Sequence, residues 1–229
     1  MGKLILVKLG SSASQCTPYG VLVSVPTPLY WLIAYLLGSL PWALWITRRL
    51  KGVDIRDAGS GHVTTTNTIR QVGWAAGLLV FLLDFGKGFL AVYLARQAGL
   101  AGWALAMTGA LAVVGHCWPV FAGFRGGMGL ATAGGGTMAV SPLAFLLAFA
   151  TLLALVLVVH HAARGAFFAA WAAPVVLWLL GVRGDPLWLT AFLGVVIALR
   201  FTVDWNRRYR ELWLDRSTSN HTQSRQNRI

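Results

Sequence analysis

Charged residues are scarce in this chain. Asp, Glu, Lys and Arg make up 11% of its 229 residues while hydrophobic residues reach 57%, whereas a soluble domain carries about 25% charged residues. That balance excludes a water-soluble globular protein and implies an integral membrane one. Acidic residues are scarcer still, seven against nineteen Lys and Arg, for a net charge of +12. Cysteine is limited to Cys16 and Cys117. The pair makes no disulfide framework, and neither has metal-ligand spacing, so no metal site and no cofactor is expected. A serine nucleophile elbow, a zinc motif and a Walker loop are all missing. The basic residues are scattered over loops between apolar runs without a recognition motif, which leaves nucleic-acid binding unsupported. Leu4–Val7 is too short for a signal core and is cut by Lys8.

A spanning helix needs about 20 apolar residues. Candidates are Tyr30–Thr47, Trp74–Ala95, Gly102–Phe121, Met138–His160, Ala166–Val182 and Leu187–Val203. The stretch from Gly127 to His161 exceeds one span, and Ser141, preceding Pro142, is pushed out of helical geometry. Dividing it into a short helix and a full one gives an all-α polytopic membrane protein of about seven transmembrane helices with glycine-rich cytoplasmic loops. An odd count puts the two ends on opposite sides. Lys and Arg mark the cytoplasmic side: Arg48, Arg49, Lys51, Arg56 and Arg70 lie in one loop, and Arg207, Arg208, Arg210, Arg216, Arg225 and Arg228 in the tail. Arg125 and the His160–Arg164 turn then fall on the same side, leaving Lys3, Lys8, Arg96 and Arg183 outside. Six spans would put the basic turn outside. The chain reads as an N-terminal extension over 1–28, one membrane domain over 29–208 and a basic cytoplasmic tail over 209–229, expected to be disordered because its last residues, "STSNHTQSRQNRI", are polar and lack aromatics. Contact with anionic membrane lipid alone accounts for such a tail, at roughly 1 kcal/mol per charge near the surface.

Two polar, glycine-rich runs interrupt the apolar sequence: "DIRDAGSGHVTTTNTIRQVG" from Asp54 to Gly73 and "GHCWPVFAGFRGGMGLATAGGG" from Gly115 to Gly136. Irregular polar backbone sits beside hydrophobic spans only where it lines a cavity or faces water. Glycine lets backbone N–H groups approach a ligand, and Ser60, Thr64, Thr65, Thr66, Arg56 and Arg70 supply the donors a phosphate needs. A phosphorylated substrate is expected. The glycines of "GGMG" and "GGG" have a second explanation, since small residues let helices pack closely in membranes; Arg125 before them does not fit it.

Asp84 and Lys87 sit inside an apolar stretch, "LLDFGKGFL". An ionisable residue within a span costs several kcal/mol on most scales and faces a polar cavity or a partner. Three residues apart on a helix, the two share a face and are able to neutralise one another. Gly86 and Gly88 flank the lysine, which weakens the helix and favours a site there. His116 opens the second glycine run, a position that suits a helix cap as well as a substrate contact.

These stretches, in this order, resemble the bacterial acyl-phosphate-dependent glycerol-3-phosphate acyltransferases of the PlsY type. The resemblance runs from about Leu36 to Arg208 through "GSLPWALWITRRLKGVDIRDAGSGHVTTTNTIRQVG", "LLDFGKGFLAVYLA" and "GHCWPVFAGFRGGMGLATAGG". Several positions depart from the family pattern. The first motif of the family reads GSGNxGxTN, where this chain has His62 for the asparagine and Thr64 for a glycine; Ser60, Gly61, Thr66, Asn67 and Arg70 match. Met128 stands where the family's GGKG has its lysine. Ala163 and Ala166 occupy the serine positions of RYxSLxS, and HxxNIxRL keeps Asn206 but has Val203 for its histidine.

The resemblance implies a seven-span enzyme of the bacterial inner (plasma) membrane with its motifs and C-terminus at the cytoplasmic face. It would transfer a fatty acyl group from acyl phosphate to the sn-1 hydroxyl of glycerol 3-phosphate, forming lysophosphatidic acid in phospholipid synthesis, with its donor supplied by an acyl-phosphate-producing enzyme. Acyl phosphate is already activated, so positioning and electrostatics dominate. Arg56, Ser60, Thr66 and the Gly59–Gly61 backbone are assigned to phosphate binding, Lys87 to charge neutralisation and Asp84 to orienting Lys87. Asn67, Arg70, His116, Arg125, Gly126, Gly127 and Asn206 complete the site. His62 and His116 are both candidates for a general base. Two other readings stay open: a degenerate member that binds an anionic lipid or regulates a partner, and an acyltransferase with another acceptor.

Overall fold

The computed structural model describes residues 26–205. Among these residues the secondary structure is helical: α1 (Thr27–Gly38), α2 (Trp42–Lys51), α3 (Thr65–Gln71), α4 (Trp74–Gln97), α5 (Gly102–Cys117), α6 (Leu130–Val140), α7 (Pro142–Val159), α8 (Ala162–Leu179) and α9 (Asp185–Val203), with single 3-10 turns at Ile55–Asp57 and Val120–Ala122. Six segments are long and apolar enough to cross a membrane, the first being α1 and α2 together over Thr27–Lys51. Pro41 breaks that first span, because it offers no N–H to continue the helix. The Leu40 carbonyl exposed by the break accepts from Lys87 Nζ at 3.0 Å.

The division at proline falls where the sequence places it. α6 ends at Val140, Ser141 is extended at φ −155°, and its side chain accepts from the Ala144 N–H to cap α7. The seventh element, α6, is short: 11 residues rise about 16 Å, roughly half the hydrocarbon thickness. Both of its ends are held. Its last carbonyls, Ala139 and Val140, accept from Arg96 at the end of α4, while its start adjoins the second glycine loop.

Small residues set how closely α4 and α6 approach. A Cβ added at Gly88 would strike the Thr132 carbonyl, and one at Gly135 the Phe85 carbonyl. Close packing therefore accounts for Gly88 and Gly135, and α4 continues unbroken past Lys87, contrary to the expected weak point. A Cβ at Gly86 meets nothing within 4 Å. The core combines Val92, Leu105, Val113, Leu189, Leu193 and Phe201 with many alanines. α7 buries only Ala144 and presents Leu143, Leu146, Phe149 and Leu153 outward, as a lipid-facing helix does.

The two ends of the bundle have distinct fastenings. At one end Arg96 meets α6, the Gly102 N–H donates to Asp185 at 2.6 Å, and Trp31 Nε1 donates to the Ala104 carbonyl. At the other end both glycine loops meet the last turn of α9. Residue 27 starts at the first end and α9 finishes at the second.

Candidate functional site

The first glycine loop is organised by charge and by one asparagine. Asp54 caps the turn at Ile55–Asp57 by accepting from the Arg56 N–H at 3.0 Å, and it is paired with the Arg56 and Arg48 guanidinium groups at 2.7 and 2.6 Å. The hydrogen bonds from Arg56 hold the Asp54 carboxyl well below the usual carboxylate range, and the same pairing raises Arg56. Asn67 is fully buried. Its Nδ2 donates to the carbonyls of Ile55, Ala58 and His62, and its Oδ1 accepts from the Ser60 N–H. Gly59 turns here with φ +58°, and a Cβ would run into Asn67, so only glycine fits both the left-handed backbone and the space. Thr64 caps α3 by accepting from the Asn67 N–H.

The second loop is fastened to the first. Val63 N donates to the Gly126 carbonyl at 3.3 Å and Gly127 N to the His116 carbonyl at 3.1 Å. Arg56 Nη1 donates to the Ala122 carbonyl at 2.9 Å, and Arg125 returns with 2.7 Å to the Arg56 carbonyl and 3.0 Å to Asp57. Gly126 and Gly127 sit where a side chain would collide with His116, Cys117 or Val63. Irregular backbone at membrane depth is thus satisfied within the protein.

Between the loops and α4 lies a chamber of about 330 Å³. Ser60, Thr64, Thr65, Thr66 and Arg70 form one side of its lining; Asp84, His116, His62 and Met128 add further polar and polarisable groups, and Phe81, Leu130 and Phe201 are apolar. Asp84 is 2.8 Å from Lys87 Nζ and 3.5 Å from His116 Nδ1. A second, apolar cavity of about 100 Å³ lies among α6, α7, α8 and α9, lined by Ala133, Phe145, Phe149, Ala166, Ala169 and Ile197 among others. Leu130 borders both.

The candidate residues divide into wall and scaffold. Ser60, Thr66, Arg70, Asp84 and His116 line the chamber. Arg56, Gly59, Asn67, Arg125, Gly126 and Gly127 hold the loops around it through the contacts above, and Gly61 supplies a second left-handed turn at φ +72°. The Arg56 guanidinium is engaged with Asp54 and Ala122 rather than facing the chamber. Lys87 stands behind Asp84, its ammonium shared between that carboxylate and the Leu40 carbonyl. Asn206 lies outside the described residues. Met128 is on the wall, whereas Ala163 is fully buried in the helix core and Val203 is 75% exposed.

Arg200 and Asp204 were not anticipated as part of this region. Both are more than 90% buried. Arg200 Nε donates to the Gly127 carbonyl at 3.0 Å and Nη2 lies 3.1 Å from His62 Nδ1, while Asp204 is 2.9 Å from His62 Nε2. The available signal was an arginine inside the last apolar span, the same feature that exposed Asp84 and Lys87.

A multi-span helical bundle with a hydroxyl- and arginine-lined chamber at one end and an apolar cavity that shares Leu130 with it is the architecture of an integral membrane protein with a polar site set against an apolar one. Sequence and structural comparisons narrow the class. A family model described as glycerol-3-phosphate acyltransferase matches residues 28–211. The glycerol-3-phosphate acyltransferase of Aquifex aeolicus is 40% identical over 177 residues, covering 77% of this chain and 92% of its own; one from Thermus thermophilus is 38% identical, covering 77% and 85%. Crystal structures of PlsY, an integral membrane glycerol 3-phosphate acyltransferase, superpose with a TM-score of 0.69 in the glycerol 3-phosphate form and 0.68 in the lysophosphatidic acid form. Both are 38% identical and cover 79% of this chain and 90% of theirs. The chain belongs to the glycerol-3-phosphate acyltransferase family.

Proposed function

We propose that the protein transfers a fatty acyl group from acyl phosphate to the sn-1 hydroxyl of glycerol 3-phosphate, releasing lysophosphatidic acid and phosphate at the cytoplasmic face of a bacterial inner membrane. The observation that carries this reading is a polar chamber and an apolar cavity side by side, with Leu130 lining both. One compartment suits two phosphorylated groups and the other an acyl chain. In the reaction the hydroxyl oxygen bonds to the acyl carbon, the bond from that carbon to the phosphate oxygen breaks, and the departing phosphate is able to take up the hydroxyl proton. No acyl-enzyme is needed. The chain's contribution is to bring two anions together and aim the hydroxyl, which is worth many kcal/mol when geometry is held.

Ser60, Thr66 and Arg70 are assigned to phosphate binding, with Asp84 and His116 shaping the wall next to the reacting atoms. Lys87 balances Asp84, and Arg56, Asn67 and Arg125 preserve the loop geometry. The basic first loop supports a cytoplasmic position for the chamber and the C-terminus by the distribution of Lys and Arg. Acyl phosphate implies a cellular source, an enzyme that makes this mixed anhydride. Met128 on the chamber wall favours the competing reading, a family member that binds the anion without turnover. Kinetics of Arg70→Met and Ser60→Ala separate the two: the proposal requires acyl transfer by the native chain and an elevated KM for glycerol 3-phosphate in both variants. Unchanged KM in both would remove the assigned binding role.

A further inference from the structure

We propose that Arg200 is a positioning residue that holds the two glycine loops in register, through His62 on one wall of the chamber and the Gly127 carbonyl behind Met128 on the other. The inference deepens the acyltransferase reading and, for its kinetic part, rests on it.

Hydrogen-bond valence fixes the tautomer of His62. A guanidinium has donors only. The 3.1 Å contact between Arg200 Nη2 and His62 Nδ1 therefore makes Nδ1 the acceptor, and Nε2 carries the hydrogen that is donated to Asp204 Oδ2 at 2.9 Å. Both ring nitrogens are engaged. His62 has no lone pair left to accept a proton from substrate, which withdraws it as a general base and leaves it as a fixed piece of wall. The same guanidinium reaches Gly127 O through Nε at 3.0 Å and stands 3.6 Å from Asp204 through Nη1. One planar fork thus fixes a residue of the first loop, the peptide that precedes Met128 in the second, and the last turn of α9 in a single arrangement. A lysine offers no such fork.

This chain has a particular need for that order. Position 128, where the resembled motif has a lysine, is Met128, so anion binding falls more heavily on the placement of Arg70 and the hydroxyls around Ser60 and Thr64–Thr66. A misplacement of about 1 Å in such a site is able to lower the rate about a hundredfold. Arg200 does not line the chamber itself, so its effect is exerted through the residues it holds.

The test compares Arg200→Lys, Arg200→Met and the double variant Arg200→Met/Asp204→Asn in the full chain. Two readouts are taken: KM and kcat for glycerol 3-phosphate, and hydrogen exchange of residues 54–66, 115–129 and 96–103. Arg200→Met should raise KM about tenfold as the residues it holds leave their places, and speed exchange in both glycine loops while 96–103 is unaffected. The double variant removes the uncompensated aspartate and should regain thermal stability, yet keep the raised KM and fast loop exchange; Arg200→Lys should fall between. If Arg200→Met does not fold, the double and lysine variants carry the same comparison. Return of both stability and KM to native values in the double variant overturns the proposal, as does native exchange in both loops. Absence of acyl transfer in the native chain would instead defeat the functional reading, and loop exchange would still decide the role of Arg200.

Discussion

Replacing Gly127 by alanine tests how tightly the chamber is built. A Cβ there would lie 2.5 Å from the Val63 carbonyl and closer still to His116 Nε2, whereas ordinary contact begins at 3.4 Å. The Val63 side is stiff, because Val63 N is bonded to the Gly126 carbonyl next door. The Gly127 backbone and His116 must therefore give by roughly 1 Å, which takes His116 off its place on the wall; overpacking of this kind costs about 1–3 kcal/mol in stability, and a displacement of that size at a reacting site costs about a hundredfold in rate. The expected result is a folded protein with kcat/KM for glycerol 3-phosphate reduced about a hundredfold. Gly86→Ala is the control, since its Cβ meets nothing within 4 Å and helix propensity favours alanine by about 1 kcal/mol. Gly127→Ala with kcat/KM within about threefold of native, in a protein as stable as native, would refute the geometry.

Met128→Lys should raise acyl transfer about tenfold to hundredfold by adding one charge-assisted contact on the chamber wall; Ala163→Ser should add nothing, because Ala163 is fully buried among helices and does not line the chamber. Lys87→Met alone should destabilise by about 3–5 kcal/mol by leaving Asp84 uncompensated, and Asp84→Leu/Lys87→Met should recover most of that stability without recovering activity, read by thermal melting and turnover. The depressed pKa of Asp54 implies a contribution to stability that is complete above about pH 4 and lost as pH falls toward the folded-state value. Asp54→Asn should therefore melt below native at neutral pH, with the gap closing in acid. With Cys16 and Cys117 replaced by serine, Arg183→Cys should label from outside intact cells and His161→Cys should not; the reverse pattern would invert the topology.

The spans, the break at Pro142 and the two polar runs were legible because each rests on local chemistry: apolar length, proline sterics, glycine with hydroxyls. The division of labour among the polar residues was not. Arg56 and Arg70 look alike in sequence, yet only Arg70 is among the residues that line the chamber, while Arg56 is held by Asp54 beside it, a difference of position set by a loop fold that no periodicity records. Asn67 reads equally well as ligand or scaffold until its three carbonyl partners are seen. Gly88 flanks a buried lysine and suggested an opening, but its neighbour across the helix pair is the Thr132 backbone. Arg200 carries the same signal as Asp84 and Lys87, a charge within an apolar span, but it stands outside both glycine runs, and only the fold brings it to them.

Donor and acceptor are both identified in one assay. Purified protein in detergent, shown to be folded, is supplied with labelled glycerol 3-phosphate and, in parallel, acyl phosphate, acyl-CoA or an acyl carrier protein thioester. Labelled lysophosphatidic acid should form with acyl phosphate, and none above background with either thioester. No product from acyl phosphate, or equal product from a thioester, would contradict the proposed reaction.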